Sequence, residues 1–183
     1  MSSLTLTRFP WHFVVAMAII VAASNFLVEI KITSWLVWGS LTYPVAFLVT
    51  DLTNRVYGAT TARKVVLVGF VVGVALSWYL GSPRIALASG TAFLVAQMLD
   101  VSVFNRLRQH VWWVAPIVSS ALSSFVDNTL FWVLAFYGPD NWWHVPMVTD
   151  LLVKWGVALA ALIPYGVLAK FLSNKKSDQT AVV

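Results

Sequence analysis

Six predominantly apolar runs, each close to the roughly 20 residues that a helix needs to cross a bilayer, occupy most of this chain: 11–30, 35–53, 63–80, 84–104, 112–137 and 146–171. Hydrocarbon offers a backbone no hydrogen bonds, so each run satisfies its own N–H and C=O groups by becoming a helix. Only 10% of the 183 residues are charged and 60% are hydrophobic, too little charge to clothe a water-soluble domain of this size. The expectation is an all-α membrane protein with six transmembrane helices in one bundle, residues 1–183 forming a single integral membrane domain. Outside the runs there is no room for a soluble catalytic domain.

The distribution of Lys and Arg sets the orientation. Arg8, Arg55, Arg63, Lys64, Arg106, Arg108, Lys170, Lys175 and Lys176 fall on one side of the six runs, and only Lys31, Arg84 and Lys154 on the other. The positive-inside rule then places both termini in the cytoplasm, as in a multi-pass protein of the cell inner membrane. The net charge of +5 sits at helix ends, where it orients the chain in lipid rather than binding nucleic acid. Arg8 and the small residues of "VAAS" mimic a cleavable signal, but the apolar run continues through Phe26, Leu27 and Val28, so it reads as an uncleaved first helix. With no cysteine, thiolate metal or redox chemistry is excluded, and no spacing such as HExxH offers a metal site. No cofactor is called for.

Ionisable groups inside a membrane are costly and turn toward the bundle interior, which makes their spacing informative. In the fifth run Ser120, Ser123, Ser124, Asp127 and Asn128 lie on one helical face. In the sixth, Asp150, Lys154, Ala158, Ala161 and Tyr165 share a face. Sorted by depth, Asn25, Glu29, Arg84, Asp127, Asn128, Asp150 and Lys154 form an outer polar layer, with Trp78 and Tyr79 at the same level. Asp51, Asn54, Arg55, Asp100, Asn105 and Arg106 form a cytoplasmic layer, and Gln97 lies between. Asp51–Arg55 and Asp150–Lys154 have the i, i+4 spacing of helix salt bridges. The cytoplasmic layer therefore reads as ion pairs or a gate, in which Asp100 has no cation one turn away. Asp127 has no Lys or Arg nearby on its own helix, so it requires a partner from another helix, a proton or a ligand. Lys154 and Arg84 are the available cations.

Two stretches, "AFLVTDLTNR" and "AFLVAQMLDVSVFNR", begin alike and run into Asp and then Asn-Arg 46 or more residues apart, a hint of a duplicated helix pair. "GFVVG" at 69–73 and "AIIVA" at 18–22 are small-xxx-small motifs that allow close helix contact, and such faces also suit a homodimer. "GSPR" at 81–84 reads as a tight turn, and Trp142 and Trp143 as interfacial anchors.

The ordered set "SNFLVE", "YPVAFLVTDLTNRVYG", "AQMLDVSVFNRLRQ", "SSFVDNTLFW" and "DLLVK" followed by "PYGVL" resembles the bacterial queuosine-precursor transporters, six-helix proteins of the vitamin-uptake-transporter-like group. The resemblance spans residues 24–170. It implies import of 7-cyano-7-deazaguanine (preQ0), and of its aminomethyl relative preQ1, by secondary or facilitated transport. Carried over by motif position, it marks Asn25, Asp51, Arg55, Arg84, Gln97, Asp100, Asn105, Arg106, Asp127, Asp150 and Lys154, with Glu29 just beyond the first motif. The chemistry suits such a ligand: a carboxylate accepts two parallel N–H bonds, an amide or cation meets the carbonyl, and aromatics sandwich the ring. Asp127 or Glu29, Asn25 or Asn128, and Trp78, Phe125 or Trp132 supply those types. The alternative is a substrate-binding membrane subunit served by a separate ATPase module, as in energy-coupling-factor importers. An intramembrane enzyme is disfavoured, since His12, His110 and His144 lie at helix ends, away from a serine they could activate.

Overall fold

A computed structural model of the protein describes residues 9–34, 36–80, 83–138 and 141–181, with the side chains of Asn141 and of residues beyond Ser173 left aside. Arg8 and the Gly81–Ser82 part of the expected turn lie outside the described residues, as do the side chains of Lys175 and Lys176. The described residues form α1 (Trp11–Leu27), α2 (Trp38–Thr42), α3 (Val45–Tyr57), α4 (Ala59–Leu80), α5 (Pro83–Leu107), α6 (Val114–Phe136), a 3-10 turn (Asn141–Trp143) and α7 (His144–Ala181). Helices α4, α5 and α6, and residues His144–Ser173 of α7, are each long and apolar enough to cross a membrane. The protein is thus an all-helical, multi-pass membrane protein.

Several boundaries differ from the expectation, and two of them have a clear local reason. The second run, read as one helix over 35–53, is broken into α2 and α3 at Tyr43–Pro44. Proline lacks the N–H that would continue the ladder and crowds the turn before it. The Tyr43 N–H still closes on Gly39 O at 2.8 Å, and Pro44 starts α3 with φ −61°. The third run, expected from residue 63, begins at Ala59, because α3 and α4 are separated by Gly58 alone. Its φ of 87° lies in the left-handed region that a Cβ disfavours.

An apolar core packs α1 with α3, α4 and α5, whereas α6 is polar within and apolar without. On α6 the buried side chains include Ser119, Ser120, Ser123, Ser124, Asp127 and Asn128, while Val118, Leu122, Phe125 and Leu134 are exposed. On α7, Leu159, Ile163 and Val167 stand outward. That inversion is what a lipid surround selects: apolar side chains lose nothing facing hydrocarbon, and hydroxyls and carboxylates must find partners inside.

Packing runs α1 on α4, α4 on α5, α5 on α6 and α6 on α7, with α3 set among α4, α5 and α7. The "GFVVG" motif has a packing role. A Cβ on Gly69 would lie 2.8 Å from Met17 Cγ and 3.0 Å from Phe93 Cζ, and one on Gly73 would lie 3.1 Å from Val21 Cγ1. These glycines let α1 and α4 approach closely. The two similar Asp…Asn-Arg ends meet in space: Asn54 Nδ2 donates to Val101 O at 2.9 Å, Arg55 Nη1 to Arg108 O at 2.6 Å, and Arg108 Nη2 to Arg55 O at 3.2 Å.

Gly69→Leu is expected to lower the apparent melting temperature of the detergent-solubilised protein, since overpacking a filled seam costs about 1–3 kcal/mol. An unchanged melting temperature would show that the α1–α4 seam has slack.

Candidate functional site

Opposite the Arg55–Arg108 end, the bundle encloses a cavity of about 280 Å³. Its wall is made by the end of α1 (Ser24, Asn25), by α2 and the break after it (Gly39, Ser40, Tyr43), by Ser77 of α4, by Ser89 of α5, by α6 and by α7. The break in the second run thus lies beside the cavity, through Gly39, Ser40 and Tyr43.

The charged centre of this cavity joins α6 to α7. Lys154 Nζ lies 3.0 Å from Asp127 Oδ2 and 3.0 Å from Asp150 Oδ2, with Asn128 Oδ1 at 3.5 Å. The ammonium also stands 5.7 Å from the centroid of the Tyr43 ring, within cation–π range, and the Tyr43 hydroxyl is turned to Asp127. Asn128 is held by donating to Met147 O at 2.8 Å. Two carboxylates around one ammonium leave a local charge of −1, and Lys154 engages one oxygen of each. The cluster is buried from solvent yet opens on the cavity, so its remaining acceptor capacity points at whatever enters.

Around that centre the walls are aromatic. Trp132 and Phe136 pack at 5.0 Å between centroids with their rings tilted by 39°, and Phe131 lies 5.9 Å from both. Trp132 lines the cavity, and its Nε1–H is buried without a hydrogen-bond partner. Buried donors normally have one, so among the described residues this N–H is an unmet donor in the cavity wall. On the far wall Ser77 Oγ donates to Asn25 Oδ1 at 2.6 Å, and Asn25 Nδ2 donates to Val21 O at 2.9 Å.

Of the residues singled out from sequence, Asn25, Asp127, Trp132, Asp150 and Lys154 line the cavity, and Asn128 touches it through Lys154. The others lie elsewhere. Glu29 is exposed in the turn after α1, because the helix ends at Leu27 and no longer directs it inward. Trp78 and Phe125 face outward, at 57% and 48% exposure. Arg84 caps the end of α6, donating to Leu134 O and Tyr137 O at 3.1 Å each. Gln97 is fully buried beneath the cavity, its Oε1 accepting from Thr50 Oγ1 at 2.7 Å. Asn105 and Arg106 are exposed on the last turn of α5, where Asn105 Oδ1 meets Arg108 Nη1 at 3.5 Å. Of the two interfacial tryptophans, Trp142 is exposed and Trp143 is buried, stacked 4.0 Å from His144.

The two i, i+4 pairs behave differently. Asp150–Lys154 forms. Asp51–Arg55 does not: Arg55 turns to Arg108 O, and Asp51 accepts instead from Ser119 and Ser120 at 3.4 Å each. The neighbouring helix is the reason, since a carbonyl at the end of α5 and two hydroxyls of α6 offer shorter reaches than the same-helix pair. Tyr43, Phe131 and Phe136 were missed. A signal existed for the last two: Phe131 is one turn beyond Asp127, and Trp132 and Phe136 continue the row from Asn128.

Among the described residues no three His, Asp or Glu side chains gather as a metal ion would require. The family described as "Putative vitamin uptake transporter" matches residues 37–80 and 77–169. The "Probable queuosine precursor transporter" of Haemophilus influenzae is 36% identical, over 85% of this chain and 84% of the relative. The "Queuosine precursor transporter" of Escherichia coli K12 is 31% identical, over 90% and 88%. A Bacillus subtilis relative, again "Probable queuosine precursor transporter", is 30% identical, over 72% and 70%. No solved structure matches the chain.

Removing the ammonium leaves two buried carboxylates facing each other, a change that costs about 3–5 kcal/mol. Lys154→Ala is expected to lower the apparent melting temperature sharply, and adding Asp127→Asn and Asp150→Asn to recover most of the loss. Equal melting of Lys154→Ala and wild type would show that the triad is not a structural tie.

Proposed function

The chain belongs to the vitamin uptake transporter family, and we propose that its own task is to import queuosine precursors: 7-cyano-7-deazaguanine, and its aminomethyl relative as a second substrate. The observation that carries this reading is the triad of net charge −1 opening on an aromatic-walled cavity of about 280 Å³. The names of three relatives agree with it.

A deazaguanine presents a ring N–H and an exocyclic amine side by side. Asp127, held by Lys154 and Tyr43, accepts from that edge, with Asp150 beside it. A carboxylate fixed from two directions is already oriented, so little entropy is lost when the ligand docks. The free Nε1–H of Trp132 meets an acceptor of the heterocycle, and Tyr43, Phe131 and Phe136 enclose its faces. The aminomethyl relative carries a positive charge, which a site of net charge −1 also accepts.

In this reading the protein crosses the inner membrane six times, α2 and α3 together making the second crossing, with both termini cytoplasmic. The cavity then faces outward. Beneath it the α3–α5 seam closes the cytoplasmic side: Thr50 on Gln97, Asn54 on the Val101 carbonyl, and the reciprocal Arg55–Arg108 pair. Transport is secondary or facilitated, with substrate reached from one side and then the other as the halves rock about the site. The relatives' names lend no support to a subunit that needs a separate ATPase module.

The test is uptake of labelled 7-cyano-7-deazaguanine by cells lacking endogenous synthesis. Asp127→Asn, at matched membrane abundance, is expected to cut initial uptake about 10–100-fold, the loss of a charge-assisted hydrogen bond. Uptake by Asp127→Asn at the wild-type rate would remove that carboxylate from the site.

A further inference from the structure

Two turns below the triad lies a second buried acidic centre that recognition of a heterocycle leaves unused. Asp51 of α3 and Asp100 of α5 neighbour each other, at 2% and 0% exposure. Asp51 receives only the two 3.4 Å contacts from Ser119 and Ser120. Among the described residues neither carboxylate oxygen of Asp100 has a well-formed hydrogen bond, although Ser119 stands near it. Among the described residues no Lys or Arg forms an ion pair with either group; the nearest guanidiniums, Arg55 and Arg108, are turned to each other's backbone.

A separate observation points to an occupant. A cavity of about 20 Å³ borders Asp51, and Ser120, Ser124 and Tyr165 share its wall. Ser124 Oγ and Tyr165 Oη are both buried, at 1% and 2% exposure, and both lack a hydrogen-bond partner. Space of this size holds one water, and two hydroxyls with nothing to bond are what such a water would satisfy. Ser120, Ser124 and Asp127 follow one face of α6, so the chamber's wall lies about 5–10 Å along the helix from the triad.

Two adjacent carboxylates with no cation cannot both stay ionised in a dry interior. We infer that Asp51 and Asp100 share one proton, and that this proton travels inward with the substrate. It enters from the outward cavity by way of the chamber bordered by Ser120, Ser124 and Tyr165, rests between the two carboxyls, and leaves to the cytoplasm when the α3–α5 seam parts. A direct neighbour favours a proton over a metal ion, which would hold the carboxylates apart on either side of itself. The groups facing the pair are Ser119 and Ser120 from α6 and Tyr165 from α7, with Arg55 and Arg108 beyond. Where α1 and α4 approach α3 they bring apolar side chains such as Val14, Ala62 and Val66.

The directional part of this inference rests on the import reading, and the shared proton does not. The experiment therefore has two readouts on the purified full chain in liposomes. In transport, labelled 7-cyano-7-deazaguanine is first exchanged against unlabelled ligand inside, then accumulated under an outside-acid gradient of one pH unit. For one proton per substrate the wild type gains up to about tenfold accumulation, and Asp100→Asn and Asp51→Asn each lose that gain. In infrared spectroscopy near neutral pH, a protonated-carboxyl band is present in the wild type and lost from the Asp51→Asn/Asp100→Asn double variant, with helical content checked by circular dichroism.

Wild-type accumulation indifferent to the pH gradient, or driven by a sodium gradient instead, overturns the coupling. A carboxyl band of undiminished intensity in the Asp51→Asn/Asp100→Asn double variant overturns the shared proton. If the wild type exchanges no deazaguanine, the import reading fails, while the infrared band still decides the pair. If one variant does not fold, the other variant and the wild-type gradient response decide.

Discussion

A charge in a lipid-enclosed bundle must be met by another charge, and the Asp127–Lys154–Asp150 cluster is how this protein meets that demand at its cavity. The ammonium ties α6 to α7 and, through the face of Tyr43, to the break between α2 and α3. Three separate stretches of backbone thus take their relative positions from one nitrogen atom. Because two carboxylates share it, the cluster is also not neutral. The excess acceptor capacity that makes the cluster costly to bury is what a donor-rich ligand would satisfy.

The broken second run belongs to the same arrangement. An unbroken helix over 35–53 would have carried Tyr43 past the cavity on a regular face and closed the backbone to it. Pro44 stops the ladder, and the short α2 then leans on the end of α1, where a Cβ on Gly39 would lie 3.0 Å from Val28 Cα. Ser24 Oγ donates to Thr42 Oγ1 at 3.1 Å across that contact. The result is a wall of serines, glycine and aromatic edge on one side, and charge with indole on the other. Below it, hydroxyls and amides close the α3–α5 seam, so the polar interior is continuous in space but divided into two chemically distinct centres.

Much of this was legible from residue spacing, because side chains on a helix face are fixed by the 3.6-residue period. The α6 stripe and the α7 face from Asp150 to Tyr165 both turn inward, and the need of Asp127 for a cation from another helix is met by Lys154. What spacing cannot give is which helix stands opposite. Asp51 has Arg55 one turn away, yet α5 and α6 offer it Asp100 and two serines, so the i, i+4 pair never forms. Arg84 was a candidate cation for Asp127, but the carbonyls at the end of α6 claim it. Glu29 was read as part of a helix that in fact stops two residues earlier. For aromatics the difficulty is number: with ten Trp and eleven Phe, type alone cannot separate Trp132 in the cavity from Trp78 on the outer face.

The account stands or falls on whether the carboxylate edge of the cavity reads adjacent N–H donors. The most direct measurement is calorimetric affinity of the purified protein for 7-cyano-7-deazaguanine and for the same heterocycle lacking its exocyclic amine. Loss of one donor to a buried, charged acceptor should weaken binding about tenfold or more. Equal affinities would mean that the triad is a structural tie alone and that recognition lies elsewhere in the bundle.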